Sequence, residues 1–424
     1  MAAKEKEILW LTCIAHALTH FFEVLLPAVT IFVYQDLRTE MPTLEITTVI
    51  QVGTMMYLLY GLLALVWGPV ADRFGAKYAL AAGMFFSGAG YIVAGLAHSI
   101  AAMWVAFAVV GVGIAAYHPA GLALISKTIS QRGRALGING ICGTIGFMTA
   151  PLFGGICGYV YGWRIMFVIA GIIGIVAGLA MFLLRGRESR DTEKTVVAPV
   201  AGHKTVFYFA IFCIAMAVNG IVYRGNIIAM PLVFEENMAS VMGWLDNRTW
   251  LDIDGIWGRG CEIMTLGATL LLTFVYTFGM VGQKLGGMAA DRYDLRWAYF
   301  GFFAVASLPL LGIGMLSGWP LVAAAAIFVT FSLGTQPIEN SLVARLTPPR
   351  WRSTFYGVKF IFVFGVGTLA VYIVSGAKNV WGTGSVYYIL SLAMVLLLLL
   401  IGGLIYISRE TNLHQRQEKP AVMS

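Results

Sequence analysis

Apolar runs of about 20 residues recur from one end of the chain to the other, separated by short polar interruptions, as bilayer-spanning helices require. We place such segments at 8–34, 47–71, 78–97, 101–126, 134–158, 163–185, 205–233, 263–288, 295–317, 319–344, 353–377 and 383–407, twelve in all. Several exceed the minimum, which predicts tilt or extension beyond the bilayer. The interruptions are unequal. RGRESRDTEKTVVAPVAGHK parts the chain into 1–185 and 205–407, with a linker at 186–204 and a tail at 408–424. A second polar stretch, 234–262, follows the seventh segment; its Trp244, Trp250 and Trp257 among several acids suit either a lid or a plain insertion at the membrane surface.

Composition agrees with a lipid solvent: 59% of the 424 residues are hydrophobic and 12% charged, about half the charged fraction usual in soluble domains. Most of the 28 lysines and arginines fall in the termini, the linker and the alternate loops that share their side. Only Arg38, Arg164, Arg248, Arg259 and Lys378 fall in the opposite loops. That bias predicts cytoplasmic termini, with the bilayer as partner. The net charge of +7 then reflects topology, and no nucleic-acid partner is expected. Cys13, Cys142, Cys157 and Cys213 lie in apolar segments, with Cys261 beyond them, so a disulfide framework is not expected. The opening MAAKEKEILW precedes a run too long for a signal peptide and is read as part of an uncleaved first helix.

The two halves echo each other. GPVADRFGAK at 68–77 answers GMAADRYDLR at 287–296, YHPAG in the fourth segment answers TQPIE in the tenth, and Arg132 and Arg134 answer Arg350 and Arg352. Three correspondences in one order at nearly one offset indicate a duplicated six-helix unit, the plan of a transporter with a midplane site. The expected fold class is an all-α membrane protein, twelve transmembrane helices in two pseudo-symmetric six-helix bundles.

With Gly68, Asp72, Arg73, Gly75 and Lys77 in the first copy, and RGRALG and GWRIMF around segments 5 and 6, the chain resembles the major facilitator superfamily. The second copy keeps Gly287, Asp291, Arg292 and Arg296 but has Asp294 where the glycine would be. The resemblance implies bundles rocking around a cavity lined mainly by helices 1, 4, 7 and 10. It suggests that Asp72, Arg73, Asp291 and Arg292 gate the inner face. Gly137, Gly146, Pro151, Gly154 and Gly155 in the fifth segment resemble the superfamily's antiporter motif, with Ala150 replacing one glycine; this implies antiport or export.

Charged and polar groups within a bilayer face protein, pair, or meet water. HALTHFFE at 16–23 sets His16, His20 and Glu23 within an arc of roughly 60° on one helical face. The repeat places His20 opposite Arg224, His118 opposite Gln336 and Asn139 opposite Lys359. We therefore expect His20, His118, Asn139, Arg224, Gln336 and Lys359 to bind substrate, and His16, Glu23 and Glu339 to couple protons. No metal site is assigned: His16 to Glu23 spans about 10.5 Å of rise, too far for one ion to reach all three side chains, although His118 could complete a smaller set.

Neither a phosphate-cradling Gly-x4-Gly-Lys-Ser/Thr stretch nor a zincin or nucleophile-elbow motif occurs. The expectation is a non-enzyme without cofactor: a secondary active transporter in the cell membrane, sufficient as a monomer. It would move a small, anionic organic molecule by alternating access, coupled to protons and in the export direction. A transition-metal carrier using His and Glu ligands and an amphiphilic-drug efflux pump are the alternatives.

Overall fold

A computed structural model describes residues 3–129, 132–183, 203–242, 260–347 and 352–409. Most of the linker and of the outer loop, including Trp244, Trp250 and Trp257, and the tail beyond 409 lie outside these residues. So does Arg350 of the loop repeat, while the side chains of Arg132, Arg134 and Arg352 are likewise not described.

The described chain is helical, without a β-strand. Helix α1 runs Ala3–Glu40 and α2 comprises Ile46–Val52 and Thr54–Phe74. Next come α3, Ala76–Gly95, and α4, Ile100–Ile114 with Tyr117–Thr128. The stretch Arg132–Leu183 is continuous by hydrogen bonding, but Gly162 (φ 80°, ψ 158°) breaks it. We count α5 as 132–161 and α6 as 163–183. In the second half α7 is His203–Glu236, α8 Gly260–Arg292, α9 Leu295–Met315 and α10 Gly318–Leu346. Helix α11 starts as Arg352–Phe360, passes through a π turn at Ile361–Gly365 and a 3₁₀ turn at Val366–Thr368, and resumes at Leu369–Trp381. Helix α12 is Thr383–Ile407. Among the described residues, eleven stretches are long and apolar enough to cross a membrane, and the break at Gly162 makes them twelve spans.

The helices outrun the apolar segments that announced them. At 1.5 Å per residue, the 38 residues of α1 reach about 57 Å, against roughly 30 Å of hydrocarbon. Helices α1–α6 form one bundle and α7–α12 the other, and each is fastened alike at the end where α1 and α7 finish. Trp163 Nε1, at the α5–α6 turn, donates to Asp36 Oδ2 near the end of α1 at 2.7 Å. At the α11–α12 turn, Lys378 pairs with Glu236 at the end of α7 at 2.8 Å, and Thr383 donates to the same carboxylate. Gly162 and Gly382 (φ 84°) make the two turns in the left-handed region, where a side chain is strained.

The two loop copies diverge in the backbone. Gly75 has φ 102°. Asp294, at the matching place, has φ −59° and instead caps α9, accepting from the Arg296 amide at 3.0 Å. The glycine was dispensable there because the second turn does not enter the left-handed region.

Two seams join the bundles. Along α2 and α11, Asn379 donates to Glu45 at 3.0 Å near the start of α2. Deeper in, a Cβ on Gly61 would sit 2.2 Å from the Gly365 nitrogen, and one on Gly357 2.4 Å from Leu65. Along α5 and α8, a Cβ on Gly155 would meet the Thr269 hydroxyl at 1.9 Å, and one on Gly279 would meet Thr144 at 2.9 Å. The glycine motif of α5 thus has a packing role. Gly146 admits the Ala17 carbonyl of α1, Gly154 admits Val29 and Leu25, and Gly155 admits α8, the close approach that small residues permit in membranes.

Candidate functional site

The face of α1 that carries His16, His20 and Glu23 points inward. His20 Nδ1 lies 2.6 Å from Glu23 Oε2, a one-turn contact made possible by the i, i+3 spacing. His16 Nδ1 lies 2.8 Å from the Asn139 carbonyl oxygen of α5, and the Nε2 atoms of the two rings face each other at 3.1 Å. Room for the His16 ring comes from Gly143, where a Cβ would stand 2.6 Å from it. From α4, Tyr117 stacks on His16 at 4.4 Å and donates to Asn139 Oδ1 at 2.6 Å. His118 lies 2.9 Å from the Tyr60 hydroxyl. One nitrogen from each of His16, His20 and His118 falls within 4.8 Å of the others, all three side chains being buried.

Across the bundle boundary, Arg224 of α7 places Nη1 2.8 Å from Glu23 Oε1, both residues 0% exposed. The guanidinium carbon sits 3.8 Å over the Tyr57 ring, an arrangement worth about 2 kcal/mol or more when desolvated. The pair is an ion pair by distance without full hydrogen-bond alignment: Nε, Nη1 and Nη2 of Arg224 are buried, Glu23 is the carboxylate beside them, and none of the three makes an aligned hydrogen bond. A buried charge is costly unless paired and hydrogen-bonded. Glu23 is better served, since Tyr223 donates to it at 3.4 Å besides the His20 contact.

A second centre lies wholly in the C-terminal bundle. Glu339 of α10 pairs with Lys359 of α11 at 2.8 Å and accepts from Tyr299 of α9 at 2.6 Å and Asn219 of α7 at 3.2 Å. Lys359 also donates to Asn340 Oδ1 at 2.6 Å. The π turn follows directly, and Phe360 and Phe364 stack in parallel at 5.5 Å. Phe360 in turn stacks on His118 at 4.5 Å and Phe364 on Tyr60 at 4.2 Å, so aromatic contacts link the two centres.

The remaining expected site residues lie elsewhere. Gln336 accepts from Gln283 at 2.8 Å, beside Gly140 on the α5–α8 seam. Asp72, Arg73, Asp291 and Arg292 are exposed at the ends of α2 and α8. Tyr57, Tyr60, Tyr117, Tyr223, Phe360 and Phe364 line the centre, yet in the sequence they look like ordinary apolar core. Asn219, five residues before Arg224 on the same helix, carried the signal of a polar group in an apolar run.

A duplicated helical membrane protein with buried charges where its halves meet has the architecture of a transporter that alternates access to a midplane site. The sequence profile described as Major Facilitator Superfamily matches residues 9–246, and the chain belongs to that family. It is 33% identical over 134 residues to the "Probable L-galactonate transporter" of Escherichia coli strain K12, covering 31% of this chain and 30% of that protein. It is 24% identical to the "Benzoate transport protein" of Acinetobacter baylyi over 70% of this chain and 69% of the other. The same identity relates it to "Multidrug resistance protein MdtH" of Salmonella newport, over 73% and 71%. The chain spans less than a third of the first relative's length in that match. A crystal structure of a bacterial homolog of the human lysosomal transporter Spinster, inward-facing and unoccupied, shares the fold with TM-score 0.65 and 16% identity over 99% of this chain and 100% of that one. These findings make the protein a multi-pass membrane transporter and speak against an enzyme.

Proposed function

We propose that the protein is a proton-coupled secondary transporter of a small organic anion in the cell membrane, its termini cytoplasmic and its bundles, 1–185 and 205–407, moving as two bodies. The observation that carries this reading is Arg224, a fully buried guanidinium at the bundle boundary that has Glu23 beside it but no aligned hydrogen bond from any of its three nitrogens. A carboxylate can take two parallel N–H bonds from such a fork. Cargo would compete with Glu23 for Arg224 and loosen the ion pair between the bundles, tying binding to their movement. Two of the relatives are named for carboxylates, L-galactonate and benzoate.

The coupling proton is assigned to Glu339, faced by Lys359, Tyr299 and Asn219. Protonation releases Lys359 and disturbs Asn219, which shares α7 with Arg224. The exposed Asp72–Arg73 and Asp291–Arg292 loops serve as inner gates, and the glycine motif of α5 favours antiport. Accumulation of sugar acids and aromatic acids into vesicles holding the purified protein, with and without an imposed pH gradient, tests the reading. Gradient-driven movement of a carboxylate, lost in Arg224→Ala, is the expected result. Transport of cationic drugs alone would overturn it.

A further inference from the structure

We propose that His16, His20 and His118 form a binding site for a divalent first-row transition-metal ion within the N-terminal bundle. The ring protons decide which nitrogens can bind. A carbonyl oxygen only accepts, so the 2.8 Å contact from His16 Nδ1 to the Asn139 carbonyl places the ring proton of neutral His16 on Nδ1. Glu23, with Arg224 against its other oxygen, accepts from His20 Nδ1 at 2.6 Å and fixes that ring the same way. With both rings neutral each Nε2 carries a lone pair, and the two lone pairs face each other across 3.1 Å in a buried site. Such an arrangement is repulsive until a cation bridges it.

The geometry suits a metal. Two nitrogens bound tetrahedrally at about 2.0–2.1 Å from zinc stand roughly 3.3 Å apart, close to the spacing here. His118 brings a third imidazole within 4.8 Å, beside the Tyr60 hydroxyl and the Phe360 face. The outer contacts also match. Metal-bound histidines donate their other N–H to a backbone carbonyl or a carboxylate, and Asn139 and Glu23 provide one of each. A nitrogen-only donor set selects zinc, cobalt, nickel or copper over calcium and magnesium, which take oxygen ligands. A bridging proton would engage two rings and leave the third unused. The ligands come from α1 and α4, so the site travels with one bundle, whereas Glu23 joins His20 to Arg224 of the other. The proposal is independent of the anion reading: it concerns an ion bound by the protein, whatever the cargo.

The test uses the full chain purified without a polyhistidine tag and stripped of metal. Zinc chloride titrated by calorimetry should bind at one equivalent, and cobalt(II) should give visible ligand-field bands that zinc abolishes. X-ray absorption of the zinc-loaded wild type should count three imidazole nitrogens, a readout that needs no variant to fold. His118→Gln and His16→Gln should each lower zinc affinity by more than the roughly 10–100-fold that loss of an outer partner costs. The triple change His98→Ala, His203→Ala and His414→Ala should leave it intact. Absence of saturable binding, fewer than three imidazoles, or binding lost in that triple variant would overturn the site. Unchanged affinity in His118→Gln would do the same and leave a shared proton between His16 and His20.

Discussion

Two buried ion pairs among the described residues of this transporter differ in how completely they are hydrogen-bonded. Glu339–Lys359 lies inside one bundle, and its carboxylate and ammonium have further partners in Tyr299, Asn219 and Asn340. Glu23–Arg224 spans the two bundles, and its guanidinium has no aligned acceptor. Helices that stay together can satisfy every donor around a buried charge. On the proposed reading, a pair divided between bodies that separate in alternating access must be able to let go, and donors left open are available to cargo. Incomplete hydrogen bonding would then mark the boundary that moves.

The comparison is broken most sharply at Arg224. Arg224→Ala leaves Glu23 buried without its cation and should cost about 3–5 kcal/mol of stability, as for other halved buried pairs. Thermal unfolding in detergent reads this, and the double change with Glu23→Gln should recover part of it. Arg224→Lys keeps the charge but loses the planar fork, and should weaken anion binding by roughly 1–3 kcal/mol. Equal anion affinity in that variant would place the cargo site elsewhere.

Glu339→Gln sharpens the other side. It should cost about 1–3 kcal/mol by leaving Lys359 without a counter-charge and flatten the pH dependence of flux while anion affinity holds. A wild-type pH profile would remove Glu339 from coupling. Between the two centres runs the α2–α11 seam. Gly61→Val should cost about 1–3 kcal/mol by overpacking against Gly365 and slow flux in a protein that still folds; cysteine cross-linking between α2 and α11 should report the seam held open.

A weaker contribution comes from the turn between α8 and α9. Burial disfavours the charge of Asp294, but hydrogen bonds and charge from Arg296, with the backbone amides of Arg296 and Trp297, outweigh it and hold the carboxyl below its usual range. Arg296 in turn ties the turn to Ser408 at the end of α12. A carboxyl lowered by folding contributes stability that is full above its unfolded value and lost as pH falls through the lower folded one. Asp294→Ala should cost about 1 kcal/mol near neutrality, the scale of a lost cap. The difference from wild type should vanish in acid; a penalty that persists there would mean the carboxylate charge is not its source.

Much of the site was legible because a bilayer makes polar side chains conspicuous. His16, His20, Glu23, Asn139, Arg224, Glu339 and Lys359 stood out against apolar runs, and all of them lie in the two buried centres. The repeat alignment set Asn139 opposite Lys359, and the structure gives each a partner on the preceding helix of its own bundle, Tyr117 on α4 and Glu339 on α10. Gln336 satisfied the same criterion yet bonds Gln283 at a seam. The aromatic wall of Tyr57, Tyr60 and Phe364 gave no signal, since an aromatic in an apolar helix is ordinary in any core.

The lipid solvent, the twelve spans, the duplication and the residues that could not face lipid were all readable along the chain, since each follows from local hydrophobicity and spacing. Tertiary structure decided the pairings. Whether Arg224 meets Glu23 or Glu339, and whether His118 reaches His16, depends on how helices distant in the chain are rotated and set in depth against one another. Those settings come from many small contacts at once, such as the glycine seams Gly61–Gly365 and Gly155–Thr269, and from the π turn that stacks Phe360 on His118. No single residue announces them, because dispersion and close packing act between surfaces whose partner is not written beside them in the chain.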